Sequence, residues 1–235
     1  MKTLTKMMRS LLIVAFISCG GCAGGGSGQS STPAPSPKVI GVAAAGLPLA
    51  GTVTLKDSSA IAKQLSTAIA AGGSFSIDVP GLTPPFLLQG SGTAGGTSYT
   101  FYSLASAAGT CNINPLTHLA VAMANGGQEP SALFADPTPA KMQALSAAMS
   151  AYLTSLQSQM TPLLNIVGVT PGNIVTDQYA YGGGLDTLFD MVSITVNSGS
   201  VEIVSKYDGL DILPPTPIHG GIFQGNMDRR GRKNI

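Results

Sequence analysis

Apolar and polar residues alternate in four short runs after residue 37, and Gly or Pro residues separate the runs. The runs are residues 52–56, 74–79, 86–89 and 98–102. In the second run, Phe75 and Ile77 share one face and polar side chains occupy the other. Period-two alternation with one apolar face is typical of antiparallel strands that pack on a core. The pattern predicts a β-sandwich over residues 38–108, with a tight hairpin at Gly72-Gly73.

In the second half of the chain the apolar spacing changes to three and four residues, which is typical of helices. Asn114-Pro115 supplies an N-cap and a proline at the first helical position, and residues 125–127 end that helix. A second, longer helix is predicted to begin at about Pro139, and Pro162 is expected to kink or end it. Its apolar positions are Met142, Leu145, Met149, Tyr152, Leu156, Met160 and Leu163.

The C-terminal third predicts a short helix over residues 185–191, followed by a β-hairpin. The hairpin strands are residues 193–196 and 201–204, which polar turn residues separate. A proline-rich run and a basic end predict a disordered tail over residues 214–235. The predicted fold class is therefore α+β: an N-terminal antiparallel β-sandwich, then a helix-rich region over residues 109–213 with a C-terminal β-hairpin.

Two segments resemble the carboxypeptidase-regulatory-like, or prealbumin-like, β-sandwich family. They are residues 46–55, which read Gly-Leu-Pro-Leu-Ala-Gly-Thr-Val-Thr-Leu, and residues 72–77, which read Gly-Gly-Ser-Phe-Ser-Ile. The family usually carries Asp where this chain has Gly72. The resemblance implies a sandwich fold without an active site, because that domain is an accessory module in the enzymes that bear it.

The first residues carry an export signal. Lys2, Lys6 and Arg9 precede the apolar residues 11–17, and seven apolar residues are too few for a membrane span of about 20. Small residues and two cysteines follow. This arrangement resembles the signal of bacterial lipoproteins, in which a cysteine after the apolar run is lipidated and becomes the new N-terminus.

Cys19 is the favoured lipidation site because it lies directly after the apolar run, and Cys22 is the alternative. We therefore expect a signal peptide over residues 1–18 and a lipidated flexible tether of Gly, Ser, Thr and Pro over residues 19–37. Neither cysteine is followed by Asp, so the resemblance implies an anchor of palmitate-type acyl chains in the outer membrane, facing the periplasm or the cell surface.

Charge excludes one class of partner. Only 10% of the residues are charged, against about 25% in typical domains, so uncharged polar side chains must provide most of the solvation. Residues 38–213 contain five basic and ten acidic residues. Nucleic-acid binding requires clustered Lys and Arg, and the one basic cluster lies at residues 229–233 in the terminal tail. We expect no nucleic-acid partner.

The residues with chemical potential are few, and we expect no catalytic residue, cofactor or metal site. Asp186 and Asp190 share a helical face and would bind Ca²⁺ only with further oxygens, for example from Asp177 or Asp211. We expect Asp186 to cap its helix instead. The other candidates are a Cys111–His118 pair, for which a buried free thiol and a structural His are the favoured interpretations, and a sugar-stacking platform of Tyr99, Phe101 and Tyr102.

The sequence thus predicts a lipid-anchored, non-catalytic cell-envelope protein that acts as a binding, adhesion or scaffolding module. Its partners would be the membrane, through the N-terminal lipid, and a protein or polysaccharide that contacts sandwich edges and loops. The alternative is an accessory subunit that recruits an exported hydrolase or polysaccharide, which extends the family resemblance by analogy.

Overall fold

A computed structural model describes residues 35–223, except residues 171, 180, 198, 220 and 221. The strands are β1 Lys38–Val42, β2 Ala50–Lys56, β3 Gln64–Ala68, β4 Ser74–Asp78, β5 Phe86–Ala94, β6 Thr97–Ala105, β7 Gly109–Thr110, β8 Val192–Asn197, β9 Ser200–Ser205, β10 Asp211–His219 and β11 Ile222–Phe223. The helices are α1 Pro115–Ala124, α2 Pro130–Ala135, α3 Pro139–Ile166 and α4 Leu185–Met191. The order of elements confirms the predicted α+β class.

Two sheets form the N-terminal sandwich. One has the strand order β4-β1-β7 and the other β3-β2-β5-β6. The alternation in β4 is as predicted, because Phe75 and Ile77 are buried while their neighbours are exposed. The pair β1–β7 is parallel, whereas every other pair in the two sheets is antiparallel. Sequence alternation does not reveal this parallel pair, because β7 is only two residues long.

The turn at Gly73 is confirmed, but the hairpin predicted there is wrong. Gly73 has a φ of 76°, its N–H donates to the Ala70 carbonyl at 2.7 Å, and the Ala70 N–H donates to the Ser74 carbonyl at 2.9 Å. The strands on either side join different sheets, since β3 pairs with β2 and β4 pairs with β1. The turn therefore carries the chain from one layer of the sandwich to the other.

Hydroxyl groups link neighbouring strands on the exposed faces of the larger sheet. Thr54 on β2 lies 3.0 Å from the hydroxyl of Ser66 on β3, and Ser91 on β5 lies 3.2 Å from that of Thr100 on β6. These pairs replace the charged cross-strand pairs that are common on other sheets. The sequence prediction that uncharged polar side chains solvate the surface agrees with them.

A buried α1 begins at the predicted N-cap. The Asn114 side-chain oxygen accepts hydrogen bonds from the N–H groups of Leu116 and Thr117, at 3.0 and 2.9 Å, and the Thr117 hydroxyl accepts from the Asn114 N–H. Residues 115–123 are all buried, because α1 packs against β6, β8 and α3. The described residues from Pro35 onward belong to one compact unit with a shared apolar core, so the sandwich and the helical region are not separate bodies.

The long helix α3 passes through Pro162 and ends at Ile166, so the expectation that Pro162 ends the helix is wrong. Proline leaves the carbonyl four residues earlier without its helical partner. That residue is Ser158, which is exposed, so water can take the place of the missing N–H. The helix is anchored beyond the proline because Leu163 and Leu164 are buried.

The C-terminal sheet has the order β11-β10-β9-β8 and contains the predicted hairpin, β8–β9. The prediction of disorder from residue 214 is wrong for residues 214–219, which lie in β10 and pair with β9. Leu213 and Ile218 are buried and hold the strand on the core, which outweighs the unfavourable prolines between them. Residues 224–235 of the predicted tail lie outside the described residues.

The Asp57 side chain organises the loop between β2 and β3, because both of its carboxylate oxygens accept hydrogen bonds. Oδ1 accepts from the Lys63 N–H at 2.7 Å and the Ser59 hydroxyl at 2.6 Å, and Oδ2 accepts from the Thr83 N–H at 3.1 Å. Burial raises the pKa of this carboxyl, but the hydrogen bonds together outweigh burial and hold the pKa below its ordinary value of 3.8. The ionised form is thus favoured in the folded state.

We predict that Asp57→Asn lowers the free energy of unfolding at pH 7 by about 2 to 4 kcal/mol, since the amide nitrogen leaves buried donors without an acceptor. The contribution of Asp57 is fully present above its unfolded-state pKa and is lost as the pH falls through the lower folded-state pKa. Urea titrations over a pH series measure it. The matched variant Asp78→Asn alters an exposed carboxylate paired with Lys38 and should change stability by less than about 1 kcal/mol. Equal effects of the two variants would contradict the prediction.

We also predict that Asn114→Ala costs about 1 to 2 kcal/mol of stability, because two buried N–H groups at the start of α1 lose their acceptor. Thr138→Ala removes the corresponding cap of α3. There the Thr138 hydroxyl accepts from the Lys141 N–H at 3.4 Å, and this hydrogen bond is exposed to solvent. The Thr138 variant should therefore lose less stability than the Asn114 variant in the same urea titration. The opposite order would refute the role assigned to the buried cap.

Candidate functional site

A cleft lies between two sheet edges. Its walls are residues 98–101 of β6 and residues 192–196 of β8, and its floor includes His118 of α1. Strand β6 is the last strand of the larger sandwich sheet, and β8 is the last strand of the C-terminal sheet. The volume is about 250 Å³. We call this region the edge-strand cleft.

The wall formed by β6 presents main-chain groups to the cleft. Strand β6 follows β5 through a two-residue turn, Gly95-Gly96, and both glycines have positive φ angles. The two residues that flank such a turn, Ala94 and Thr97, form a hydrogen-bonded pair. In an antiparallel ladder every second residue of β6 then bonds to β5, and the residues between them point their N–H and C=O groups away from β5. Ser98 and Thr100 are therefore the outward-facing residues. The Thr117 hydroxyl of α1 donates to the carbonyl of Tyr102, the next residue in this series, at 3.1 Å.

The wall formed by β8 has the same property. Asn197 and Ser200 flank the turn of the β8–β9 hairpin and oppose each other. The ladder pattern then directs the main-chain groups of Ile194 and Val196 away from β9 and toward the cleft side, whereas the Val192 N–H donates to the Leu188 carbonyl at the end of α4. The side chains of Val192, Ile194 and Val196 are buried in the core. Among the described residues, Ser98 and Thr100 on one wall and Ile194 and Val196 on the other thus offer peptide groups without a ladder partner, while the apolar side chains of both walls remain inside.

His118 and Glu129 lie at the base of the cleft. The His118 Nε2 atom is 3.6 Å from Glu129 Oε1, and the imidazole side chain is only 9% exposed, whereas the Glu129 side chain is 40% exposed. The ring stacks on Tyr102 with centroids 5.7 Å apart and meets Phe101 edge to face at 5.9 Å. Nδ1 is buried without a hydrogen-bond partner among the described residues. His118 is a packed ring whose polar edge reaches the cleft beside a carboxylate.

Glu129 is the acidic residue among the side chains that line the cleft, and the lysine there, Lys206, is hydrogen-bonded to a main-chain carbonyl. The Lys206 Nζ donates to the Phe189 carbonyl at 2.6 Å. Within the described part of the chain, His118 is the one basic side chain close enough to Glu129 to form an ion pair, and it does so only when its ring is protonated. The carboxylate therefore retains capacity to bind a cation that enters from outside.

Cys111 and His118 do not form a catalytic pair. The Cys111 Sγ donates to the Ser103 hydroxyl at 3.3 Å, and the residue is fully buried and free. Burial raises the pKa of the thiol to about 12, so the nucleophilic thiolate is scarce at neutral pH. The buried free thiol favoured from the sequence is confirmed. His118 packs against aromatic rings as expected of a structural residue, but the hydrogen bond expected for its Nδ1 atom is not found among the described residues.

Asp186 does not cap α4, so that expectation is wrong. Gly184 is the N-cap residue, and the Asp186 carboxylate accepts from the Tyr179 hydroxyl at 2.8 Å and from the Gly182 N–H at 2.6 Å. Burial together with the Asp186 hydrogen bond raises the pKa of Tyr179. Asp190, one turn later, is exposed. Among the described residues no three His, Cys, Asp or Glu side chains gather as metal ligands, so Asp177 and Asp211 do not complete a Ca²⁺ site with this pair.

The three aromatic residues on β6 do not form an exposed sugar platform. Phe101 and Tyr102 are buried in the core, and only Tyr99 is partly exposed, with its ring stacked 5.3 Å from that of Phe101. Tyr99 lines the edge-strand cleft.

A larger groove of about 580 Å³ runs along α3, and its lining residues are uncharged.

The sequence prediction named sandwich edges as the contact surface but missed both β8 as an edge and Glu129 as part of the site. Strand order cannot be read from one sequence, so the two open edges could not be brought together. The available signal was composition: Thr97–Ala105 and Val192–Asn197 contain no proline and no charged residue, whereas natural edge strands usually carry one or the other.

No family model matches this chain, and neither the curated proteins nor the solved structures contain a match. Cys19 and Cys22, the predicted lipidation residues, lie outside the described residues. No helix in the described part of the chain is long and apolar enough to cross a membrane.

We predict that Cys111 in the folded protein resists iodoacetamide at pH 8 and is alkylated after unfolding in guanidinium, because the thiol is buried and its pKa is raised. Peptide mapping by mass spectrometry distinguishes Cys111 from the N-terminal cysteines. Alkylation of the native protein at the rate of a free thiol would contradict the assignment.

Proposed function

We propose that this protein is a lipid-anchored, non-catalytic binding module of the cell envelope. The N-terminal basic and apolar segments, followed by Cys19, support the anchor. The tether of Gly, Ser, Thr and Pro that follows would let the folded body stand away from the membrane and reorient. In this proposal the lipid places the protein in the outer membrane, and the folded body provides the contact surface.

The observation that carries the binding role is the edge-strand cleft. Two open sheet edges face one depression, and unpaired main-chain donors and acceptors on a sheet edge are a template for pairing with another chain. The nucleophile candidates support a non-catalytic role, because the Cys111 thiol is buried against Ser103 and the His118 imidazole packs between aromatic rings. The cleft thus supports recognition rather than bond-breaking chemistry.

We predict that Cys19→Ala abolishes both acylation and membrane retention, whereas Cys22→Ala leaves both intact. Metabolic labelling with an alkyne analogue of palmitate and fractionation of the cells measure the two properties in an expressing bacterium. Cys111→Ser is the matched control, since it removes a cysteine that is buried in the folded body. Loss of label in Cys22→Ala alone would move the anchor to Cys22. Retention of label in the Cys19, Cys22 double variant, or no label in the unaltered protein, would refute lipidation at either N-terminal cysteine.

A further inference from the structure

We propose that the edge-strand cleft captures an extended segment of another protein as an added β-strand, and that a Lys or Arg of this segment pairs with Glu129. This inference names the partner of the contact surface and rests on the proposed binding function. It does not require the lipid anchor, because every group it uses belongs to the folded body. Three independent features of the cleft support it.

The first feature is the contrast between protected and unprotected edges. On the other side of the C-terminal sheet, β11 pairs with β10 at residues 218–219, and the preceding part of β10 carries Pro214, Pro215 and Pro217 and two register shifts. Prolines and irregular register are devices that prevent a sheet from pairing with another chain. Strands β6 and β8, like the outer strand β3 of the larger sheet, have neither proline nor charge, and their registers run without a shift. Of these three strands, β6 and β8 line the edge-strand cleft. The two strands that face the cleft are therefore left competent for pairing.

The second feature is the set of main-chain groups directed into the cleft. Ser98 and Thr100 on one wall, and Ile194 and Val196 on the other, point their peptide groups outward from their own ladders. The volume of about 250 Å³ is below the usual range of small-molecule pockets, which begins at about 300 Å³. A narrow cleft walled by peptide groups suits an extended backbone better than an enclosed small ligand.

The third feature is charge, and it selects the kind of segment. Glu129 is partly exposed at the cleft and has His118 as its neighbour at 3.6 Å. A Lys or Arg side chain from an added strand would give Glu129 a cationic partner, and the partly exposed ring of Tyr99, which also lines the cleft, would be available to pack against the aliphatic stem. A second copy that paired edge to edge through β6 or β8 would offer no such cation, since neither strand contains a charged residue. This contrast disfavours edge-to-edge pairing between copies, and we assign the cleft to a cationic segment of another protein.

The test uses the full-length protein in detergent and two fluorescein-labelled peptides. Both peptides alternate Thr and Val around one central residue, which is Arg in the first and Glu in the second. Fluorescence anisotropy should show that the Arg peptide binds at least about tenfold more tightly than the Glu peptide. Glu129→Gln should remove this preference, whereas Glu202→Gln, a carboxylate on β9 outside the cleft, should preserve it.

A proline pair tests the main-chain contacts. Thr100→Pro removes an outward N–H from β6, and we expect it to weaken binding of the Arg peptide by about tenfold or more. Ser66→Pro is matched, because Ser66 is also an exposed hydroxyl residue on an edge strand of the same sheet and also pairs with a neighbouring hydroxyl. Its binding should equal that of the unaltered protein. Thermal unfolding of both variants verifies that they fold. If they do not, the loss of the preference for the Arg peptide in Glu129→Gln still tests the proposal.

Equal affinity for the two peptides, or no binding of the Arg peptide up to about 1 mM, would overturn the proposal. A concentration-dependent dimer that Thr100→Pro dissociates, in the absence of peptide binding, would overturn it in favour of pairing between copies. The acylation experiment is separate from these measurements. If the acylation experiment finds no acyl label while the Arg peptide still binds, the anchor is refuted and the strand-capture role is retained.

Discussion

The rest of the fold depends on the buried segment 111–114, in which all four main-chain N–H groups are hydrogen-bonded. The N–H groups of Cys111 and Ile113 donate to β1, and the Asn112 N–H donates to the carbonyl of Val175. The Asn112 side chain accepts from the Val42 N–H and donates to the Asp177 carbonyl. Asn114 then caps α1. Because unpaired peptide groups are costly inside a protein, these bonds fix the sandwich, the loop at residues 172–179 and α1 relative to one another.

The edge-strand cleft is a consequence of where this segment directs α1. The helix leaves the sandwich immediately after Asn114 and lies against both β6 and β8, so it holds the two sheet edges on either side of its first turns. His118 is on those turns, and α2 follows directly after Glu129. The cleft therefore does not depend on a flexible loop. Its walls are strands and its floor is a buried helix, which gives an incoming chain a preorganised surface.

Local sequence features were sufficient to predict most of the helices and strands, but they were insufficient to predict which strands pair with one another. Asn114-Pro115 identified the start of α1, and the alternation around Phe75 identified β4 and its buried face. The errors arose where distant contacts outweigh a local preference. Leu213 and Ile218 hold a proline-rich strand on the core, and buried Leu163 and Leu164 continue α3 beyond Pro162. The cleft brings together residues about 95 positions apart in the chain, such as Thr100 and Thr195. It could not be predicted, because the strand order that brings them together cannot be read from a single sequence.

The hydroxyl pairs between strands have a consequence for the conditions under which this fold persists. Thr54 with Ser66, and Ser91 with Thr100, join strands by neutral hydrogen bonds. Interactions between exposed charges weaken as ionic strength rises, because mobile ions screen them over about 10 Å at 0.1 M salt. Neutral pairs are not screened in this way. A body with so few surface charges should therefore keep its structure across wide changes in salinity, and beside a charged surface, where proteins stabilised by ion pairs would weaken.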